Sequence, residues 1–205
     1  EKSNVDVIFN ALHGKNGEDG VAQSYFEYLK IPYTHSGVTS SMNAMDKEIS
    51  KIIFKKKKIL TPKYFILNKK YFNKNYLSQN IKKNKIKFPI VVKPTNEGSS
   101  IGVKICNNLN KLNKKSKILI KNYKNLIFEQ FIPGQEIQVA VMEGKALGAI
   151  ELKPRRGFYD YKAKYTKKAK TKHLMPARLS KKKYNEVLKI AKKAHKVLNC
   201  RGVTR

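Results

Sequence analysis

The order of apolar and polar positions near the start of the chain predicts a strand, a helix and a second strand. An apolar run at residues 5–9 suits a buried strand. Apolar residues then recur at helical spacing over 21–29, and a short strand follows at 31–34, where Pro32 cannot continue the helix. Strand, helix and strand in this order are typical of a parallel α/β unit.

The pattern beyond residue 35 predicts further helices and strands. Helices are expected at 40–59, 109–123 and 180–198, the last one capped by Ser180. Strands are expected at 62–67, 88–93, 101–106, 126–131, 136–142 and 146–152. Segment 71–85 fits a helix or a loop, and 153–175 is expected to be a long polar loop. The chain is therefore predicted to be α/β.

The charge of the chain first suggests a nucleic-acid partner. Its 205 residues include 45 Lys and Arg against 14 Asp and Glu, for a net charge of +31, and basic proteins attract phosphate backbones. However, 40 of the 45 are Lys, spread along the whole chain, whereas Arg supplies most bidentate recognition of bases. A solvated lysine surface therefore accounts for the charge better than a nucleic-acid site.

Other features of the composition favour a cytoplasmic protein. No apolar run approaches the roughly 20 residues of a membrane span, and no signal peptide pattern opens the chain. Cys106 and Cys200 lack metal-site spacing and are too few for a disulfide scaffold. Because residue 1 is not Met and residues 200–205 look like the start of a strand, we expect a fragment of a longer protein.

The stretch from Lys93 to Gly102 is the most informative motif. A lysine ends an apolar strand, and a loop rich in Gly and Ser leads into the next one. Backbone N–H groups and hydroxyls in such a loop can surround a polyphosphate, with the lysine as a point charge. It is not a P-loop, since no Gly-Lys-Ser/Thr opens a helix. The alternative is an ordinary glycine-rich hairpin.

Two later segments suit the remainder of a nucleotide. Glu129 and Glu136 are two carboxylates across a bend, and carboxylates accept hydrogen bonds from an adenine amino group and from ribose hydroxyls. Residues 158–165 carry three tyrosines in a long loop, which is typical of a lid. The alternatives are an ordinary pair of surface acids and a solvent loop with packed tyrosines.

These three segments, in this order, resemble the D-alanine–D-alanine ligases, ATP-grasp enzymes of peptidoglycan precursor synthesis. Segments 11–14 with 17–20, 31–38, 44–47 and 200–205 are also similar to motifs of that family. The resemblance covers nearly the whole chain, and it depends on the ordered set of motifs rather than on any single one.

The resemblance implies a set of phosphate ligands. Lys47 and Lys93 would hold phosphates of ATP, and Lys164 would reach the γ-phosphate from the lid. Tyr165 lies beside Lys164 and would belong to the catalytic set. A solvated helix lysine is the alternative for Lys47.

The resemblance also implies how adenosine is bound. Glu129 would accept from the adenine amino group, and Glu136 would bind the ribose hydroxyls. The backbone at Gln130, Phe131 and Ile132 would line the adenine slot.

For the amino-acid substrate, the resemblance implies three further residues. Ser99 would help to orient the first D-alanine, and His13 would lie near a substrate carboxylate. Arg205 would stabilise the oxyanion of the tetrahedral intermediate. The alternative for His13 is a loop histidine whose hydrogen bonds are made to backbone groups.

The fold implied is α+β ATP-grasp in three parts. Residues 1–45 would be the remnant of a Rossmann-like N-terminal substrate domain, 46–134 the small ATP-grasp lobe, and 135–205 the incomplete start of the large lobe. The family is commonly homodimeric, and its enzymes act in the cytoplasm on cell wall precursors. Its partners would be ATP and D-alanine, without a specific nucleic acid or a membrane.

The implied reaction is ATP-dependent ligation of two D-alanines through a D-alanyl phosphate. The family's Mg²⁺ (or Mn²⁺) ligands are expected beyond Arg205, so we expect this chain alone to be inactive and its parent to be active. Two alternatives are a ligase that joins D-alanine to D-lactate or D-serine and a non-catalytic ATP-grasp relic. A basic nucleic-acid-binding module is the alternative from another functional class.

Overall fold

The computed structural model describes residues 5–154 and 171–205. These residues form two compact units, each with its own four-stranded sheet. The 60–134 unit runs from Leu60 to Gly134. The composite unit combines the residues up to Ile59 with those from Gln135 to Arg205.

Helices and strands are mixed along the described residues, and the strands of both sheets pair antiparallel, so the predicted mixed class is confirmed in its α+β form. The helices are α1 (Val21–Tyr28), α2 (Val38–Met45), α3 (Lys47–Lys56), α4 (Lys74–Lys83), α5 (Leu109–Asn122) and α6 (Lys181–Val197). The strands are β1 (Tyr64–Asn68), β2 (Ile90–Pro94), β3 (Lys104–Cys106), β4 (Asn125–Gln130), β5 (Glu136–Met142), β6 (Lys145–Lys153), β7 (Lys172–Leu174) and β8 (Val203–Thr204). Within these ranges, no helix is both long and apolar enough to cross a membrane.

The 60–134 unit is an antiparallel sheet covered on one face by α4 and α5. Its strand order is β1-β4-β2-β3. Phe65 and Phe128 are cross-strand partners whose rings stack with centroids 4.8 Å apart. One buried cluster forms the core: Phe65, Leu67, Leu77, Ile86, Ile90, Val92, Cys106, Leu112, Leu119, Ile120, Leu126 and Phe128. Alternation along the strands directs the strand members of this cluster to one face of the sheet.

The composite unit contains a second antiparallel sheet, in the order β7-β6-β5-β8. Strands β5 and β6 form the predicted hairpin, and α6 packs against both. At the start of the chain, Ile8 and Tyr33 form an isolated parallel bridge. The predicted strands at 5–9 and 31–34 are thus reduced to that bridge, although their parallel relation is confirmed.

Local capping explains where several helices begin. The predicted helix at 40–59 is two helices, because Asp46 has an extended ψ of 111° and caps α3. Its Oδ1 accepts from the N–H groups of Glu48 at 2.8 Å and Ile49 at 3.1 Å. Asn73 and Asn108 cap α4 and α5 in the same way. Segment 71–85, which fitted a helix or a loop, therefore contains a helix that begins after Asn73. The predicted cap of α6 at Ser180 is confirmed.

The segment predicted as a polar loop at 153–175 contains a strand that the pattern did not indicate. Lys172–Leu174 forms β7 and pairs with the end of β6. Its three residues are too few and too polar to show alternation, so only the partner strand determines the structure.

Candidate functional site

The two faces of the sheet in the 60–134 unit differ in chemistry. One face carries the apolar core. The alternating positions place Lys93 of β2 and Glu129 of β4 on the opposite face, together with Tyr64 and Val91, which are the cross-strand partners of Glu129. The sheet therefore presents opposite charges on the face that the core does not use.

Lys93 and Glu129 form a direct ion pair. Lys93 Nζ lies 2.6 Å from Glu129 Oε2, and the Glu129 side chain is only 8% exposed. A short charged contact in a poorly hydrated place is stronger than a surface pair, and a neutral partner on either side would be costly. The motifs predicted both residues, and the structure brings them together.

The loop after β2 is built from two successive turns. The N–H of Ile101 donates to the carbonyl of Gly98 at 2.9 Å, and both central residues, Ser99 and Ser100, have positive φ values of 48° and 63°. This pair of left-handed residues is the pattern of a type I′ turn, which serine adopts only at some cost. The loop thereby turns Ser99, which is half-buried, away from a regular strand conformation.

Gly102 and Glu97 fix this loop to the rest of the unit. A Cβ on Gly102 would lie 2.7 Å from Pro94 Cδ, so only glycine fits there. The hydroxyl of Tyr123 donates to the Glu97 carboxylate. Burial raises the pKa of Tyr123 above its usual value, and the negative charge of Glu97 raises it further. Sequence reasoning did not find this Glu97–Tyr123 contact.

The residues after β4 form the predicted adenine segment. The side-chain oxygen of Gln130 accepts from Lys87 N–H at 2.7 Å, so that side chain supports the backbone. The N–H of Phe131 donates to Pro89 O at 3.1 Å, and Ile132 is 62% exposed. The segment therefore offers a partly buried ring and an exposed aliphatic side chain next to the charged face.

The loop that carries His13 belongs to the composite unit and is held by its own acids and amides. The N–H of Gly14 donates to Glu18 Oε2 at 2.5 Å. The buried Gln23 donates to Gly17 O at 2.8 Å, and Gly17 has no space for a Cβ. His13 itself is exposed at the surface of this ordered loop.

Lys47 and Glu136 begin two elements of the composite unit. Lys47 is the first residue of α3, directly after the Asp46 cap, and is half-buried. Glu136 is the first residue of β5 and is exposed. Both side chains make interactions within the protein.

Arg205 directly follows β8 and lines a cavity of about 420 Å³. The other walls come from β5 and α6: Ile137, Gln138, Val139, Val187, Ile190 and Ala191. A guanidinium at the rim of a largely apolar cavity is a strong donor towards an anionic oxygen.

The predicted lid at 158–165, with Lys164 and Tyr165, lies outside the described residues. Across 5–154 and 171–205, no three or more His, Cys, Asp or Glu side chains come close enough to hold a metal ion. The described residues therefore do not supply the donor set of a Mg²⁺ or Mn²⁺ site.

The structure also joins two segments that the sequence singled out separately. Tyr33–Ser36 belongs to one motif and Cys200–Val203 to another, and they contact each other over more than 160 positions of sequence. Motif content identified both segments, but no signal in a single sequence indicates their contact.

Comparison with known proteins identifies the family. The sequence model described as D-ala D-ala ligase C-terminus matches residues 53–205, and that described as D-ala D-ala ligase N-terminus matches residues 1–36. A D-alanine–D-alanine ligase of Pelagibacter ubique is 60% identical over 200 residues, which cover 98% of this chain and 64% of that protein. The chain thus spans less than two thirds of this relative's length.

Two solved structures are similar to this one over nearly its whole length. The Bacillus anthracis D-alanine–D-alanine ligase complexed with ATP aligns with a TM-score of 0.81 at 31% identity, covering 98% of this chain and 62% of that one. The VanG D-Ala:D-Ser ligase of Enterococcus faecalis aligns with a TM-score of 0.83 at 30% identity, covering 97% and 58%. The described residues therefore have the predicted ATP-grasp fold, and the chain belongs to the D-alanine–D-alanine ligase family.

Proposed function

We propose that this chain carries the nucleotide-binding part, and some of the amino-acid-binding part, of an ATP-dependent D-alanine–D-alanine ligase. One observation in the structure supports this most directly. Lys93 and Glu129 meet on the face of an ATP-grasp sheet opposite its apolar core, in a family that includes a ligase complexed with ATP. A cation and a carboxylate side by side match the phosphates and the amino group of one nucleotide.

The phosphates are assigned to lysines. Lys93, on β2, would contact a phosphate oxygen, and Lys47, at the start of α3, would contact another. Lys164 would contact the γ-phosphate, with Tyr165 beside it. Lysine suits this task because its ammonium is a compact point charge that can serve several phosphate oxygens.

The base and the ribose are assigned to the residues around the end of β4. Glu129 would accept from the adenine amino group, and Glu136 would accept from the ribose hydroxyls. The backbone at Gln130, Phe131 and Ile132 would line the adenine slot. The bond from Lys87 N–H to the Gln130 side chain and the bond from Gln130 N–H to Lys63 O support this assignment, because they hold the segment in one conformation beside the Lys93–Glu129 pair.

The D-alanine residues are assigned to three side chains. Ser99 would orient the first D-alanine by hydrogen bonding, and His13 would lie near a substrate carboxylate. Arg205 would donate to the oxyanion that develops on the carbonyl under attack. Charge stabilisation of this kind is commonly the largest single contribution to acyl transfer.

The reaction proceeds in two steps. A carboxylate oxygen of the first D-alanine attacks the γ-phosphorus of ATP, the bond to the β-γ bridging oxygen breaks, and ADP leaves. The amine of the second D-alanine then attacks the carbonyl carbon of the acyl phosphate. The tetrahedral intermediate collapses with loss of inorganic phosphate, and the amine loses a proton. The lysines neutralise phosphate charge in the first step, and Arg205 serves the second.

Several features of the whole protein follow from this proposal. Residues 1–45, 46–134 and 135–205 would be the N-terminal substrate domain, the small lobe and the start of the large lobe. The protein would act as a homodimer in the cytoplasm, with Mg²⁺ or Mn²⁺, in peptidoglycan synthesis, and so serve cell wall biogenesis and cell shape. Specific nucleic acids and membranes are not expected partners, because the charge is carried almost entirely by dispersed lysines.

A second candidate acceptor is D-serine or D-lactate. The similarity to the VanG D-Ala:D-Ser ligase is the observation that favours D-serine. All these ligations share the first step. D-serine would attack through its amine, as D-alanine does, and differs only in its side chain, whereas D-lactate would attack through its hydroxyl.

The experiment is a ligation assay on the gene product at its natural length. The protein is incubated with ATP, Mg²⁺ and D-alanine, alone or with equimolar D-serine or D-lactate, and the products are separated by mass. We expect D-alanyl-D-alanine with one ADP and one phosphate per bond. A dominant mixed product would favour the second candidate, and ATP hydrolysis without any ligated product would contradict both.

A further inference from the structure

Strand β8 is too short to fix Arg205 by its own ladder. It has two residues, and its pairing with β5 consists of Thr204 opposite Val141 and Val203 opposite Met142. The net contribution of each backbone hydrogen bond is small, so two paired residues constrain the strand only weakly. The position of Arg205 therefore depends on the side chains that hold the residues just before it.

A segment from the N-terminal part of the chain holds one side of this strand. Arg201 Nε donates to His35 O at 2.9 Å, and Val203 N–H donates to His35 Nδ1 at 3.4 Å. The buried hydroxyl of Ser36 exchanges two hydrogen bonds with the backbone of Arg201, accepting at 3.4 Å and donating at 3.3 Å. His35 and Ser36 thus make hydrogen bonds with four polar atoms of residues 201–203.

The approach between the two segments is close enough to require glycine. Gly202 has a φ of 61°, and a Cβ there would lie 2.7 Å from His35 Cα and 2.9 Å from His35 N. The Arg201 guanidinium lies over the Tyr33 ring, with its carbon 4.9 Å from the centroid. Such a contact leaves little freedom for the backbone that leads to Arg205.

A second histidine holds the other end of β8. His195, near the end of α6, is 7% exposed, and its Nδ1 lies 2.8 Å from Thr204 Oγ1. The hydroxyl of Thr204 can donate or accept, so this contact forms with either ring tautomer. Thr204, the residue immediately before Arg205, thus contacts a 17-residue helix.

We propose that His35 and His195 are positioning residues, which together clamp β8 and set the guanidinium of Arg205 for its work on the substrate. This inference rests on the proposed function, because it assigns the histidines to the oxyanion site of that reaction. Neither histidine contacts the reacting atoms; each acts through the backbone or the hydroxyl next to Arg205. A donor displaced by about 1 Å loses much of its effect on the transition state, of the order of a hundredfold in rate in severe cases.

The kinetic arm uses paired variants of the protein at its natural length. Thr204→Val removes the hydroxyl at nearly constant volume, while Thr204→Ser keeps it. His35→Ala removes the ring acceptor, while His35→Asn restores a side-chain oxygen near the same place. We expect Thr204→Val and His35→Ala to lower kcat roughly tenfold or more, with the Kd for ATP unchanged and at least partial recovery in the two conservative variants. His173→Asn, at an exposed histidine of β7, is the matched control.

The second arm needs no activity. Hydrogen–deuterium exchange on the 205-residue chain measures the amides of residues 201–205. We expect them to exchange several-fold faster in Thr204→Val and His35→Ala, and at the original rate in His173→Asn. If His35→Ala does not fold, Ser36→Ala tests the same side of the clamp through its two hydrogen bonds with Arg201, and the Thr204 pair tests the His195 side. Unchanged exchange, or faster exchange with an unchanged kcat, would overturn the proposal.

Failure of the proposed function would be distinguishable from failure of the clamp. If the proposed function is wrong, the unsubstituted protein forms no ligated product, and the clamp then has no catalytic purpose. Failure of the clamp alone is seen only in the variants, while the unsubstituted protein still ligates D-alanine.

Discussion

At the scale of single residues, the Lys93–Glu129 pair places a cation and an anion 2.6 Å apart on one sheet face. Each charge stabilises the other in this poorly hydrated place. Under the proposed function, the phosphate oxygens and the adenine amino group of a nucleotide would be further partners for the same two charges. The ion pair would thereby lower the cost of holding two charges where the ligand is expected to bind.

Replacing Lys93 by Ala should weaken nucleotide binding. A hydrogen bond to a charged group is worth roughly 1.5–3 kcal/mol, which corresponds to a tenfold to hundredfold rise in the Kd for ATP. Isothermal titration with ATP measures this, and Lys104→Ala is the control, because Lys104 is an exposed lysine of the same sheet. Equal affinity of the Lys93 and Lys104 variants would argue against a phosphate role for Lys93.

The two cysteines should react slowly in the folded protein. Burial raises the pKa of the Cys106 thiol, and burial outweighs the hydrogen bond with Ser36 to raise that of Cys200 as well. Both effects lower the fraction of reactive thiolate. Because the folded pKa lies above the unfolded value near 8.5, the protonated thiols favour folding below that pH, and this contribution is lost as the pH rises through the folded pKa.

The measurement is the rate of thiol labelling at pH 8 in single-cysteine variants, with and without denaturant. We expect Cys106, which is 1% exposed, to show the larger difference between folded and unfolded protein. Labelling of native Cys106 at the rate of a free thiol would contradict its burial.

At the scale of elements, Asp46 decides where α2 stops and α3 starts. Its carboxylate accepts from two N–H groups of the first turn of α3. Asp46→Ala should therefore lower the free energy of unfolding by about 0.5–2 kcal/mol, while Asp46→Asn keeps most of the cap. Urea denaturation followed by circular dichroism compares them. Equal midpoints for the Ala and Asn variants would show that the cap is unimportant.

The elements also show what the sequence could and could not reveal. Strands β5 and β6 were predictable because apolar and polar residues alternate on both sides of a glycine turn. The Val5–Phe9 run was less informative, since Val7 is 58% and Phe9 73% exposed, and an apolar run alone does not create a partner strand. Lys93 and Glu129 were each predictable, but their contact depends on the register that sets Glu129 opposite Val91, which tertiary structure determines.

At the scale of the whole molecule, the lysine-rich composition sets how the compact units respond to salt. The 60–134 unit carries sixteen lysines and two glutamates. Repulsion among like charges destabilises a compact state, and salt screens it over about 10 Å at 0.1 M. Stability should therefore rise with ionic strength, in contrast to proteins held by surface ion pairs.

The same unit should fold on its own, because its core is complete within residues 60–134. All twelve members of its buried cluster lie between Phe65 and Phe128, and the four strands pair only with one another in the described chain. Expressed alone, Leu60–Gly134 should melt cooperatively, and its Tm should rise by several degrees between 20 mM and 300 mM salt. Phe128→Ala should remove roughly 3–5 kcal/mol and abolish the transition, whereas Lys104→Ala should leave or slightly raise the Tm. A broad, non-cooperative melt at both salt concentrations would mean that this core needs more of the chain than its own contacts indicate.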